Sequence, residues 1–283
     1  MKNKLSTIIL VIVFVAGLSL LLYPTVSNYW NSLHASQAVS NYVEEVKNLN
    51  AEEYDEMLKA AEEYNNSLLN RNTNYALSDE QREIYESTLN LNGTGIMGYI
   101  EISAINVSLP IYHGTEDSVL QVAVGHVDWS SLPVGGESTH CVLSGHRGLP
   151  SAKLFTNLDK LVEGDTFVIR VLDEVYTYKV DQILIVEPED VSALTIEDGK
   201  DLCTLVTCTP YGINSHRLLV RGYRVENADE AIAVRVTSDA IQIEPIIVAS
   251  LMAAPVLLIL LIIVLCSGNK KKPVGGNEDE KTA

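Results

Sequence analysis

Residues 204–222 read TLVTCTPYGINSHRLLVRG. The stretch opens on an apolar, β-branched run, continues with a Thr209-Pro210-Tyr211-Gly212 breaker and closes on a second apolar run, Leu218-Leu219-Val220. That pattern predicts strand, loop, strand. Cys208 stands at the end of the first strand and Arg217 opens the strand that returns. Loops carried by a rigid scaffold are where binding and catalytic groups are most often displayed. A second run of the same kind, HCVLSGH (140–146), ends in His146 just before Arg147-Gly148. A thiol, an imidazole and a guanidinium together make a complete set for acyl transfer. The plainer reading of the same residues is a Cys used as core packing and a structural His.

Further strands are expected on both sides of this stretch: GYIEISAINVSLPIY (98–112), DTFVIRVL (165–172), VYTYKVDQILIVEP (175–188), LCTLVTC (202–208) and RLLVRGYRVE (217–226). Tyr176, Tyr178 and Val180 alternate with polar residues, as on a half-buried strand. Short strands punctuated by Gly, Asp and Pro predict a closed or nearly closed barrel of mostly antiparallel strands. Two short helical pieces are expected near residues 117–123 and 152–158. Before the strands, Val39, Tyr42, Val43, Val46 and Leu49 recur at helical spacing, and Met57, Ala60, Ala61, Tyr64 and Leu68 continue it. One or two amphipathic helices are therefore expected over 34–70, packed on a domain or lying near a membrane. Asn70–Asn74 reads as a loop, and Ser78-Asp79-Glu80-Gln81 as the start of a helix reaching about Leu91.

The two ends carry the longest apolar runs. Residues 5–23 (LSTIILVIVFVAGLSLLLY) and 246–266 (IIVASLMAAPVLLILLIIVLC) contain no charge, and about 20 apolar residues suffice to cross a bilayer. Lys2 and Lys4 precede the first run, so a cleaved signal peptide is an alternative for it, although the run exceeds the usual apolar length of about 7–15 residues. Lys270, Lys271 and Lys272 follow the second. The positive-inside rule then puts both termini in the cytoplasm and residues 24–245 outside the cell. Between the runs there are 14 basic and 34 acidic residues, a balance of −20, within a chain of net charge −17. So acidic a surface lacks the basic footprint that nucleic acid requires. Four Cys, at 141, 203, 208 and 266, make no disulfide framework and no zinc spacing, and there is no Gly-rich phosphate loop.

The residues carry more than their spacing. Thr204-Leu205-Val206-Thr207-Cys208 followed by Arg217 resembles the TLxTC…R signature of the sortase family, and Ser144-Gly145-His146-Arg147 is similar to its histidine segment. NLNGTGIMGYIEI (90–102), LPIYHGT (109–115), LPVGG (132–136) and THCVLSGHRGLPSAKLFTNLDKL (139–161) resemble the pilin-polymerising, class C branch, as do the two terminal spans. The resemblance covers about residues 78–226. It implies a mainly-β protein: a sortase-like eight-stranded barrel with N-terminal helices, flanked by two transmembrane helices. It implies a cytoplasmic N-terminus (1–4), a span (5–23), an extracytoplasmic helical and lid region (24–92), a barrel (93–226), a linker (227–245), a span (246–266) and a cytoplasmic tail (267–283). By resemblance Cys208 is the nucleophile that takes the acyl group as a thioester, His146 the general acid/base and Arg217 the stabiliser of oxyanion or substrate. The implied partners are LPXTG-containing pilin or surface proteins, an acceptor Lys amine and the membrane. No cofactor and no metal are implied. Anchoring of surface proteins to peptidoglycan amines is the alternative within the family, and an inactive membrane-tethered scaffold is the alternative outside it.

The sequence departs from that branch in one place. Class C sortases usually carry an Asp-Pro-aromatic lid motif ahead of the helix that leads into the barrel. The corresponding positions here are Tyr75, Ala76 and Leu77. Tyr75 and Leu77 are the lid candidates, without a charged latch. Cys141 and Cys203 each lie five residues before a proposed catalytic residue. In the sortase barrel their strands are parallel neighbours, so the two thiols are expected to face each other as small buried apolar groups or as a disulfide, which the exterior permits. Cys266 is read as a lipid-facing apolar residue, His126 and His216 as structural or groove-lining, and His34 as solvated.

Overall fold

A computed structural model describes residues 2–69 and 76–227. They fall into two units, one running to Thr25 and one beginning at Val26. The second apolar run, the linker beyond residue 227 and Tyr75 lie outside the described residues. Helix α1 (Lys2–Lys47) begins in the first unit and continues into the second. Among the described residues it is the one helix long and apolar enough to cross a membrane, and its most apolar stretch is unburied.

Within the second unit, α1 and α2 (Ala51–Leu68) pack on a barrel through specific polar contacts. The buried Tyr42 hydroxyl donates to the Met97 carbonyl at 3.1 Å and accepts from the Leu172 amide at 2.7 Å. On α2, the Asn65 side chain pairs with both backbone groups of Leu132, donating at 3.2 Å and accepting at 2.7 Å. Asn50 caps α2, and Ser78 caps α3 (Asp79–Ser87), each in a reciprocal capping box with Glu53 or Gln81. Such a cap contributes about 0.5–2 kcal/mol. The expected Ser78 start is correct. The expected end near Leu91 is not: Thr88 is extended and Leu89 takes φ 58°. The Leu89 side chain is buried in the core, a tertiary demand that overrides the local pattern.

Eight strands close the barrel: β1 (Ile96–Ile102), β2 (Val107–His113), β3 (Val124–His126), β4 (Thr139–Ser144), β5 (Thr166–Val171), β6 (Glu174–Val186), β7 (Asp201–Thr209) and β8 (His216–Val225). Their order around the barrel is β1-β2-β3-β4-β7-β8-β6-β5. Pairs β2/β3 and β4/β7 are parallel and the other pairs antiparallel, so the mostly antiparallel barrel expected from the strand pattern is what forms.

Three expectations need correction. The run 98–112 is two strands, because a short 3₁₀ turn at Ser103–Ile105 and a left-handed Asn106 (φ 53°) reverse the chain. Asn tolerates that conformation better than most residues. Strand β3 has three residues, too few for any periodicity to show. The helix expected over 152–158 is a series of turns followed by a 3₁₀ turn at Leu158–Lys160, with Leu154 at φ 39°, which an α-helix does not admit. The piece near 117–123 is a single helical turn, α4 (Asp117–Leu120).

Candidate active site

Strands β4, β7 and β8 are neighbours, and their ends assemble the site. In the parallel β4/β7 ladder the register runs from Thr139↔Asp201 to Ser144↔Val206. Contact continues past the strand: the Gly145 amide donates to the Val206 carbonyl at 3.0 Å, and the Thr207 hydroxyl donates to the Gly145 carbonyl at 2.7 Å. The contact thus reaches Gly145 and Thr207, each one residue short of His146 and Cys208. Across the antiparallel β7/β8 ladder, Cys208 lies directly opposite Arg217 and Thr209 opposite His216. All three of Cys208, His146 and Arg217 are half-buried, so the site is neither sealed nor fully wet.

Local packing fixes this geometry. A Cβ on Gly145 would come within 2.6 Å of the Phe155 ring, so glycine at the end of β4 is what lets that ring pack against the backbone beside His146. The Phe155 amide in turn donates to the His146 carbonyl at 3.1 Å. Arg217 donates from one Nη1 to the Asn214 and His216 carbonyls, at 3.3 and 3.1 Å. The loop carrying Asn214 is closed by amides of Ile213 and Asn214 donating to the Pro210 carbonyl.

Strand alternation separates two faces. Val206 and Cys208 share one face of β7, and Leu219 and Arg217 share that face of β8. Val206 and Leu219 belong to a small apolar cluster with Val142, Leu184, Val186 and Leu194, distinct from the barrel interior. The cluster forms a packed apolar floor upstream of Cys208, with Val142, Leu194 and Leu219 buried and Val206, Leu184 and Val186 half-buried at its edge. On the other face, Arg147, Thr209 and Leu218 line a cleft of about 480 Å³ with Ile183, Ile185 and Tyr211. The Arg147 guanidinium is ion-paired with Asp159, donates to Thr209 Oγ1 at 3.4 Å and lies 5.9 Å over the Tyr211 ring. Neither the apolar floor nor Arg147 was marked by sequence reasoning. Period-two alternation of Val206 with Cys208 and of Leu219 with Arg217 was the available signal for the floor.

Of the other histidines, His126 and His140 are held inside the fold. His126 is fully buried and bonded to the Tyr85 hydroxyl and the Ser131 carbonyl. His216 pairs with Glu187 at 3.2 Å. His140 donates from Nδ1 to the Thr195 carbonyl at 2.8 Å and accepts at Nε2 from the Thr204 hydroxyl at 2.8 Å, an arrangement that fits the neutral ring. Burial, with Arg221 adding to it, holds His140 below the ordinary 6.5. A base with a lowered folded-state pKa binds its proton more readily when unfolded. Above pH 6.5 both states are neutral and nothing changes. Below it the unfolded state takes the proton and stability falls. The thermal midpoint is therefore expected to drop by a few degrees between pH 7.5 and 5, and the drop should shrink in His140→Gln. An equal drop in both proteins would remove His140 from the explanation.

Of the lid candidates, Leu77 is half-buried and packed against the main core cluster, while Tyr75 lies outside the described residues. Cys141 and Cys203 are paired residues of the β4/β7 ladder, and both are free thiols.

The sequence model of the family described as Sortase domain matches residues 100–225. Sortase C1 from Streptococcus agalactiae is 49% identical, with a TM-score of 0.67, over 68% of this chain and 100% of that one. Sortase C from Clostridium perfringens, solved with the C-terminal cell wall sorting motif, is 45% identical with a TM-score of 0.61, over 68% of this chain and 100% of that one. Among curated proteins, Sortase D of Bacillus subtilis is 34% identical over 131 residues, 45% of this chain and 63% of the relative. Sortase A of Streptococcus agalactiae is 31% identical over 144 residues, 48% of this chain and 58% of the relative. The chain thus spans about three fifths of the length of these two curated relatives. The chain belongs to the sortase family, and its neighbours among solved structures include class C sortases.

Proposed function

We propose that this protein is a membrane-anchored cysteine transpeptidase that cleaves LPXTG-type sorting signals between Thr and Gly and joins the acyl part to a pilin Lys amine. The observation that carries the reading is the meeting of Cys208, Arg217 and the His146 segment at the ends of three adjacent strands. Cys208 Sγ attacks the Thr carbonyl carbon, and the Thr–Gly bond breaks as His146 delivers a proton to the departing Gly amine. The thioester that remains is attacked by the acceptor amine, which gives a proton to His146. The new amide forms as the carbon–sulfur bond breaks. Arg217, opposite Cys208, donates to the oxyanion that develops in both steps or holds the signal's backbone. The half-buried Val206, Leu184 and Val186 at the edge of the apolar floor suit the Leu-Pro end of the signal. Support for the substrate comes also from the sorting motif with which the Clostridium perfringens sortase C was solved. The N-terminal apolar helix is consistent with anchoring. A second span and two cytoplasmic termini complete the proposed topology.

The test incubates the full chain in detergent with LPXTG peptides and reads the Cys208 thioester by mass spectrometry, then offers a pilin Lys peptide and a peptidoglycan cross-bridge amine in competition. Preferential resolution by the Lys peptide is expected. Resolution by the cross-bridge amine alone would make the protein an anchoring sortase. No thioester with any signal would leave a scaffold.

The lid is proposed to close by apolar contact alone. Leu77 is half-buried, so its contact is worth less than the roughly 1.5–3 kcal/mol of a fully buried side chain. Leu77→Ala is expected to accelerate thiol labelling of Cys208 by at most about tenfold. An acceleration of a thousandfold would reveal a tight latch.

A further inference from the structure

Cys141 and Cys203 have no part in the proposed chemistry, yet their placement is specific. They stand directly opposite each other in the parallel β4/β7 ladder. They are 2% and 0% exposed. Neighbouring strands lie about 4.8 Å apart, within the Cα separation of about 4.4–6.8 Å that a disulfide bridges. Paired positions send their side chains to the same face, so the two thiols face each other across the ladder.

We propose that Cys141 and Cys203 are an oxidisable pair, joined as a disulfide by exchange with a disulfide-bearing oxidant while the barrel is still open, and that closure of the barrel then traps whichever redox state has formed. Exchange needs a thiolate to approach a sulfur in line, and a mixed disulfide has to be accommodated on the way. Neither is possible at two sites with almost no exposure. The same burial that excludes oxidant from the folded dithiol excludes reductant from the folded disulfide. The placement of this domain outside the membrane, where such oxidants act, rests on the topology proposed above.

With oxidised glutathione the steps balance as follows. Cys141 Sγ, as thiolate, attacks one glutathione sulfur, forming a mixed disulfide and expelling one glutathione thiolate. Cys203 Sγ attacks the Cys141 sulfur of that intermediate and expels the second. The two protons lost by the protein end on the two glutathione thiols. The protein gives up two electrons and the glutathione disulfide takes them. In the open barrel either thiol can attack first, and the balance is the same.

The bridge would close a loop of 62 residues (203 − 141) in the unfolded chain, enough to raise the thermal midpoint of the domain by roughly 10 °C. It would also tie together the two strands that carry His146 and Cys208, five residues before each.

Cell-free synthesis of the full chain into detergent, with oxidised glutathione or with dithiothreitol, tests this without depending on topology or on any activity. Samples are denatured in acid, alkylated and mapped by mass spectrometry. The oxidised synthesis should yield the Cys141 and Cys203 peptides linked and lighter by two hydrogens, with Cys208 alkylated as the internal control. The reduced synthesis should yield all three alkylated. Dithiothreitol should open the bridge only with denaturant present, and the oxidised protein should melt at the higher temperature. Full alkylation of Cys141 and Cys203 after oxidised synthesis would overturn the pair. Ready oxidation of the folded, reduced protein by glutathione disulfide would overturn the trap.

Discussion

Cys208→Ala is expected to abolish both the thioester and the transfer product while leaving the barrel folded, with a thermal midpoint within about 2 °C of the parent. Cys208 is half-buried at the end of β7, so truncating its side chain opens no cavity of consequence. Cys203→Ala and Cys141→Ala should show the opposite profile. Both side chains are buried in the ladder, so each truncation costs stability, yet both point away from the face that carries Cys208 and transfer should continue. Intact-mass detection of the acyl-enzyme, run beside a thermal melt, separates the two profiles. A folded but inactive Cys203→Ala together with an active Cys208→Ala would place the nucleophile on the other face of β7 and dismantle the proposed site.

Much of this site could be read from the sequence because its residues sit where strands end. Cys208 and Arg217 bracket one loop, so their opposition across β7/β8 follows once the two runs are seen as a hairpin. The neighbourhood of His146 is different. It depends on β4 lying parallel to β7, a pairing 62 residues apart that no local pattern encodes. The resemblance supplied it, and with it the facing of Cys141 and Cys203. The cleft behind the strand ends stayed hidden for a related reason. Arg147 and Asp159 lie twelve residues apart in the β4–β5 connection and Tyr211 in the β7–β8 loop, and an arginine after a motif histidine carries no mark of its ion pair. The missed strand β3 and the overextended α3 have simpler causes: one is too short for periodicity, and the other is cut off by the burial of Leu89.

Arg217→Lys keeps the charge opposite Cys208 and still should reduce transfer on the order of 10²-fold. The guanidinium offers five N–H donors in a rigid plane. With Nη1 donating to the Asn214 and His216 carbonyls, the guanidinium is fixed at the position opposite Cys208, and its other donors can serve a group bound there. An ammonium has three donors around a point and no plane. If it satisfies the two loop carbonyls it has little left to aim, and if it turns toward the thiol the carbonyls lose their partner. Removal of one oriented donor from a developing oxyanion costs about 10²–10³ in rate. The kinetic signature distinguishes the two roles proposed for Arg217. Equal losses in kcat and kcat/KM mark a donor engaged only in the transition state, whereas a raised KM at constant kcat marks a hold on the bound signal. The first pattern is expected, because Arg217 pairs with the proposed nucleophile, whereas the apolar floor proposed to take the signal lies further along the strands. Activity within threefold of the parent would mean that charge alone suffices there, and the oriented fork would have no role.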